Sequence, residues 1–328
     1  MQVSEMTPRG QRLYKRCLQL GYKDIAEQPH CEMLDFTATQ FGYVIAKRPT
    51  QKKAALMVPR NCFKTSCDTV AGTVDMLAED PNLTFLWATH THDYTKQILS
   101  EAKWHFERNE DLREEMGLSG DPRKWGTKWA EDAITLPTRS RVAKEPTIDT
   151  CGLDNPKVGG HYDVCIVDDI HTRENITPRM LRKARHFIAD LLPVLQPWGL
   201  VFVIGTRWHI EDVYAWIYEQ NEGYEKRNQP SKKWDIMRRG CFDGPNGLYF
   251  PSRLTMEFID EQRTALDDKT FAAQYLNEAI SSEQQLFPSS LLKTFEGELR
   301  TPENEVPYLE MTVGANIPDR YAQLVRGS

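Results

Sequence analysis

Four short apolar runs constrain this chain more than any other feature: AALMV (54–58), TFLWA (84–88), YDVCIV (162–167) and GLVFVIG (199–205). Each has the length of a strand and almost no polar alternation. A strand that is apolar on both sides has no face to offer to water. It belongs inside a parallel sheet covered on both faces. The segments between the runs suit helices: 65 to 79, then Thr91 to Asn109 with Ile98, Leu99, Ala102 and Phe106 on one face, then Thr177 to about Leu192. Pro178 stands at a favoured first-turn position of the last of these. The expected class is α/β, a mainly parallel sheet sandwiched by helices. ITL (134–136) and PTIDTCGL (146–153) read as a β-hairpin. Residues 1 to 50 and 255 to 280 read as helical, 110 to 131 as a loop region rich in charge and Trp, and Pro245 to Pro251 as a linker. The Pro-punctuated stretch 301 to 328 offers one short strand, YLEMTV.

Length and composition set the outer limits. A chain of 328 residues suggests two domains, or one large one with an appendage, and 40% hydrophobic residues suffice for a sizeable core. The N-terminus, MQVSEMTPRGQRLYKR, has no apolar signal core, and no window is apolar enough to span a bilayer. Seven cysteines without a CxxC pair fit a reducing cytosol better than a disulfide framework or a zinc site. The net charge of −6 does not suit an autonomous, tight DNA binder. Nucleic-acid contact is therefore expected to be local, transient or shared among subunits.

The candidate chemistry lies where the apolar runs end. AALMV leads into MVPRNCFKTSCD (57–68), which has the frame of a phosphate-binding loop with Lys64-Thr65 as its terminal pair. Positions that usually carry glycine hold Val58 and Phe63. Taken alone, this stretch reads equally well as a plain strand-to-helix turn. YDVCIV ends on Asp168 and Asp169, at the sheet edge where α/β folds bind ligands. One carboxylate there can hold Mg²⁺ through water while its neighbour orients an attacking water; the plainer reading is a solvated Asp-Asp turn. VFVI delivers Gly205, Thr206 and Arg207 to the same edge, with Trp208 and His209 packing below. A hydroxyl at Thr206 is placed to sense a terminal phosphate, whereas His209 reads as structural. His90 and His92 alternate after a strand but lack the acidic or Cys partners of a metal pair. In this order, the loop and the acids favour nucleotide hydrolysis.

PRNCFKTS, FLWATHTHDYTKQIL, RSRVAKEPTIDTCGL, HYDVCIVDDI and GTRWHIEDVY together resemble the ATPase domain of the phage large terminase subunit, a DNA-packaging motor. LYFPSRLTMEFIDEQRTALDDKTFAAQYLNEAI resembles the segment that joins this ATPase to its nuclease. The resemblance covers roughly residues 30 to 295. It implies an additional-strand P-loop ATPase using ATP and Mg²⁺, working as a ring on the procapsid in the host cell cytoplasm. It implies double-stranded DNA as substrate, and the portal protein and small terminase subunit as partners. The implied organisation is an ATPase domain over 1–240 with a lid at about 207–240, a linker over 241–300, and a stub of a truncated nuclease domain over 301–328.

The resemblance also assigns residues. The Walker A loop comprises Pro59, Arg60, Asn61, Cys62, Phe63, Lys64, Thr65 and Ser66. Within it, Arg60 matches the arginine that contacts the γ-phosphate, Lys64 the phosphate lysine and Thr65 the magnesium hydroxyl. Asp168 matches the magnesium-side acid of Walker B. Asp169 stands where a catalytic carboxylate, often Glu, activates water, and is one methylene shorter. Thr206 matches the coupling motif. Arg139 or Arg141 lies where a neighbouring subunit's arginine finger is expected. A Pro-Arg loop opening is common in this family, but Phe63 replaces a glycine that is usually kept. Gly314 or Asn316 stands where the nuclease half needs its first metal-binding Asp, so no nuclease activity is expected. Two other readings compete: a helicase-like translocase, for which residues 240 to 328 lack a second P-loop-type unit, and a pseudo-ATPase that assembles the motor, supported by Phe63 and Asp169.

Overall fold

The computed structural model describes residues 1–157, 159–279, 297–300 and 308–311. Its N-terminal part is helical, α1 (Pro8–Gln19) and α2 (Glu27–Ile45), followed by β1 (Lys52–Met57). After the 58–64 loop the chain forms a π-helical segment, Thr65–Ala71, that runs directly into α3 (Gly72–Glu79). Next come β2 (Phe85–Thr89), α4 (His92–Arg108), α5 (Glu110–Glu115), β3 (Ala133–Ile134), β4 (Ile148–Gly152) and β5 (Tyr162–Asp168). The unit continues with α6 (Pro178–Leu191), β6 (Leu195–Gly205), α7 (Val213–Lys226), β7 (Asp235–Arg238), α8 (Met256–Ala265) and α9 (Asp268–Phe271). A second π-helical stretch, Ala272–Leu276, extends α9.

Helix starts follow their caps. Thr91, Thr177 and Asp212 accept backbone N–H bonds from Tyr94, Met180 and Ala215, as N-cap side chains do. The helices read at Thr91 and Thr177 begin one residue later, at His92 and Pro178, because the cap residue itself keeps extended dihedrals.

The seven strands form one sheet in the order β3-β4-β2-β5-β6-β1-β7. Every pairing is parallel except β3 with β4, so the expected hairpin is present with a long connection between its strands. β6 lies between β1 and β5, which is the additional-strand arrangement. Alternate residues of each central strand serve two different cores, as the period of two requires. Leu56, Phe85, Trp87, Val164, Ile166, Phe202 and Ile204 pack under α1, α2, α3 and α4. Met57, Leu86, Ala88, Cys165, Val167, Val201 and Val203 pack under α6 and α7. All seven cysteines are buried.

Two stretches behave differently from their sequence reading. Part of the expected 207–240 lid is built into the sheet: β7 pairs with β1, and α7 buries Val213, Tyr214 and Ile217 in the second core. Residues 241–279 show no break in packing, because Tyr249, Phe250, Ile259, Phe271 and Tyr275 fill the first core. The compact unit accordingly runs from Met1 to Ile280. In the second unit the described part is an antiparallel hairpin, β8 (Gly297–Arg300) and β9 (Tyr308–Met311), with Gly297 opposite Met311. The expected nuclease stub otherwise lies outside the described residues, as do Gly314 and Asn316. Among the described residues no helix is long and apolar enough to cross a membrane.

Candidate nucleotide site

Strand register brings the chemistry together. Met57 of β1 pairs with Gly205 of β6, and Ile204 pairs with Asp168 of β5. Three strands therefore end level, and the 58–66 loop, Asp168-Asp169 and Thr206 emerge on one sheet edge. Between them opens a cleft of about 710 Å³ lined by Arg60, Asn61, Phe63, Lys64, Thr65, Ser66, Asp169 and Thr206, among others. Pro59 and Cys62 belong to the same loop; Cys62 is fully buried beneath it, where burial pushes its thiol up to about 12.

The loop makes its turns without glycine. Asn61 and Phe63 both take left-handed dihedrals, φ 69° and 55°. Asn tolerates that region well; for an aromatic residue it costs on the order of 1–2 kcal/mol. The Phe63 ring is held in place by three neighbours: His30 at 6.0 Å, Phe250 at 6.4 Å and the Arg253 guanidinium at 4.5 Å from its centroid. The Lys64 ammonium is largely buried and donates to the carbonyls of Val58 (3.3 Å) and Pro59 (3.4 Å), bracing the loop from inside.

The two acids differ. Asp168 is buried, and Thr69 Oγ1 donates to its Oδ2 at 2.7 Å. Its other oxygen, Oδ1, is buried with no partner. Burial first, then the adjacent Asp169, pushes the Asp168 carboxyl up to about 7, while the Thr69 and Thr65 hydroxyls and the Lys64 ammonium pull the other way. Asp169 faces the cleft from a left-handed backbone (φ 44°), with its N–H bonded to Ile204 O. Gly205 is needed beside it: a Cβ there would sit 2.5 Å from the Tyr214 hydroxyl and 3.0 Å from Asp169 Oδ1.

This donor set fits a magnesium ion. The unpartnered Asp168 Oδ1 and the nearby Thr65 hydroxyl are hard oxygen donors, and an ion that keeps waters and takes phosphate oxygens asks few ligands of the protein. Among the described residues no group of three His, Cys, Asp or Glu could hold a metal alone. The two histidines after β2 separate: His90 lines the cleft with Nδ1 3.3 Å from Asp169 O, whereas His92 bonds Thr150 Oγ1 at 3.0 Å. His209 is part of a turn and accepts from Glu211 N.

Arg139 and Arg141 do not join the cleft of their own chain. Arg141 bonds Asp163 Oδ2 at 3.1 Å, at the start of β5, about 17 Å of strand away from Asp168. Arg139 bonds the Glu145 and Arg141 carbonyls in the same far-edge loop. Several site residues were not singled out from sequence. Thr69 had a signal, since it follows Thr65 by one helical turn. Gln274 O accepts from Arg60 N at 2.8 Å, and Asn277 Oδ1 accepts from Arg207 N at 3.3 Å. These bonds strap the 271–278 segment to both the loop and the Thr206 turn, a contact between distant residues that local pattern does not reveal.

No protein-family model matches the chain, and no curated protein matches it in sequence. Among solved structures, that of the HK97 bacteriophage large terminase matches with a TM-score of 0.54 at 13% identity, over 83% of this chain and 56% of that one. The ATPase domain of the Thermus phage P74-26 large terminase gives a TM-score of 0.49 at 17% identity, over 81% of this chain and 98% of that one. A mutant of that domain gives 0.47 at 18% identity over the same shares. The fold is thus that of a phage large terminase, in agreement with the motif order, and the chain spans about half the length of the HK97 protein.

Proposed function

We propose, from this shared fold and the cleft at its sheet edge, that the chain is the ATP-hydrolysing motor domain of a viral DNA-packaging terminase. In this reading it drives double-stranded DNA into a procapsid, with the portal protein and small terminase subunit as partners and a homo-oligomeric ring in the host cytoplasm as its working state. The observation that carries it is the register of β1, β6 and β5, which sets Lys64-Thr65, Thr206 and Asp169 around one cleft, with Asp168 buried next to Asp169 at the end of β5.

Loop N–H groups between Asn61 and Ser66 cradle the phosphates, Lys64 leaves the Val58 and Pro59 carbonyls for the β and γ groups, and the Arg60 side chain reaches the γ-phosphate. Thr65 and Asp168 would hold Mg²⁺, which would offset phosphate charge. Asp169 orients the attacking water and takes its proton. Its short side chain is supported by a position directly beside Gly205. Thr206 senses the γ-phosphate and passes its state to the turn at 207–212. Arg139 or Arg141 serves as a finger only from a neighbouring chain. No nuclease activity is assigned to this chain.

Lys64→Ala tests the reading: phosphate release by the assembled protein falls by two orders of magnitude or more, and an undiminished rate overturns it. One observation favours the pseudo-ATPase reading, the bulky Phe63 held where a glycine usually stands. Nucleotide binding without any phosphate release, in the presence of DNA and portal, would establish that reading instead.

A further inference from the structure

A row of three cations and a histidine on α6 takes no part in the nucleotide cleft. Arg179, Arg182, Lys183 and His186 are spaced i, i+3, i+4 and i+7, and so form one stripe. All four are exposed, and among the described residues none makes an ion pair or a side-chain hydrogen bond. The opposite side of the helix buries Leu181, Ala184, Ile188 and Leu191. The stripe walls a second groove of about 360 Å³, with Phe187, Leu153 and Pro156 beside it and a single acid, Asp190. In a chain of net charge −6, this one helix carries four Lys or Arg against that one acid.

We propose that this face of α6 grips the phosphate backbone of double-stranded nucleic acid. Three unpaired cations, Arg179, Arg182 and Lys183, along about 6 Å of helix axis make a local positive potential in an otherwise acidic molecule. Two are arginines, whose planar fork matches a phosphate. Nucleic-acid interfaces are polar and positive, as this stripe is. A grip on phosphates carries no base information, so the contact is expected to be independent of sequence. Its place also suits force transfer. α6 follows the turn that carries Asp169, Thr172 and Arg173 past the cleft, and Arg185 on its inner side donates to Glu211 O at 2.6 Å, in the turn after Thr206. The partner is the one named in the motor reading, but the inference stands on a different surface and needs no hydrolysis.

The test measures binding of the full chain to a short mixed-sequence DNA duplex by fluorescence anisotropy, without nucleotide, across a range of salt. The Arg179→Ala, Arg182→Ala, Lys183→Ala triple variant is expected to bind about tenfold or more weakly, with a log–log salt slope shallower by about two to three. Lys64→Ala is expected to bind like wild type. Circular dichroism melting confirms that the triple variant folds, since the altered side chains are exposed. Unchanged affinity and slope in the triple variant overturn the proposal, as does a wild-type chain with no salt-dependent binding. A triple variant altered only in sedimentation makes the stripe a protein interface and also overturns it. A wild type that binds duplex but never hydrolyses ATP defeats the motor reading alone.

Discussion

Thr69 Oγ1 donates to Asp168 Oδ2 at 2.7 Å, tying the helix after the loop to the strand that carries the acids. Through it, the position of the loop and the acidity of Asp168 depend on each other. Thr69→Val keeps the shape and removes the donor, leaving both oxygens of a buried carboxyl without a protein partner. Supporting hydrogen bonds of this kind are worth about 10–100-fold in metal affinity. The Mg²⁺ concentration needed for half-maximal nucleotide binding is expected to rise about tenfold in Thr69→Val, measured by titrating Mg²⁺ against a fluorescent ATP analogue.

Phe63 gives a prediction with an unusual order. Phe63→Ala removes the ring from His30, Phe250 and Arg253 yet keeps a Cβ in a left-handed backbone. Phe63→Gly removes the ring and the strain together. Glycine ordinarily destabilises relative to alanine, but here Phe63→Gly is expected to be the more stable of the two by about 1 kcal/mol. Both fall below wild type. Urea unfolding of the three proteins decides the order.

His30 gives a pH dependence. It is fully buried, and burial holds its imidazole down at about 4, with Ala26 N–H donating to Nδ1 at 3.0 Å. The unfolded state, with an ordinary imidazole near 6.5, binds more protons between these values. The stability His30 contributes is therefore present above pH 6.5 and lost as pH falls toward 4, by on the order of 3 kcal/mol. In His30→Leu the decline in unfolding free energy from pH 7 to 4 is expected to be shallower by about that amount. Denaturant unfolding across the pH range measures it.

Gly205 and Tyr214 should be coupled. Gly205→Ala drives a Cβ into the Tyr214 hydroxyl and against Asp169 Oδ1. Tyr214→Phe removes an oxygen that is buried without a partner. The double variant is expected to recover about 1 kcal/mol or more of the stability lost in Gly205→Ala, a non-additive result typical of touching residues. Phosphate release is expected to stay low, because the clash with Asp169 remains. A double-mutant cycle on melting and turnover separates the two effects.

The central strands were legible because an apolar run with no polar face leaves few places in a fold. That Asp168, Asp169, Lys64 and Thr206 come to one sheet edge was legible because each follows such a run, and the ends of parallel strands share an edge. The π-helical turn at Thr65–Ala71 was not, since 3.6 and 4.4 residues per turn are hard to tell apart over seven residues. Nor was the seating of Tyr249 and Phe250, because Pro245 and Pro251 mark the segment as a connection while its burial depends on distant partners such as His30. Arg141 shows the same limit: its sequence neighbours say loop, and only the fold supplies buried Asp163.

The glycine-free loop has a consequence for how tightly it can hold an anion. Glycines give a phosphate cradle freedom that must be surrendered on each encounter. Asn61 and Phe63 take left-handed dihedrals without that freedom, and His30, Phe250 and Arg253 fix the ring. The conformational entropy is given up when the protein folds, not when ligand arrives, so more of each contact survives as affinity. In the motor reading, preorganisation of this kind favours slow release of a bound phosphate.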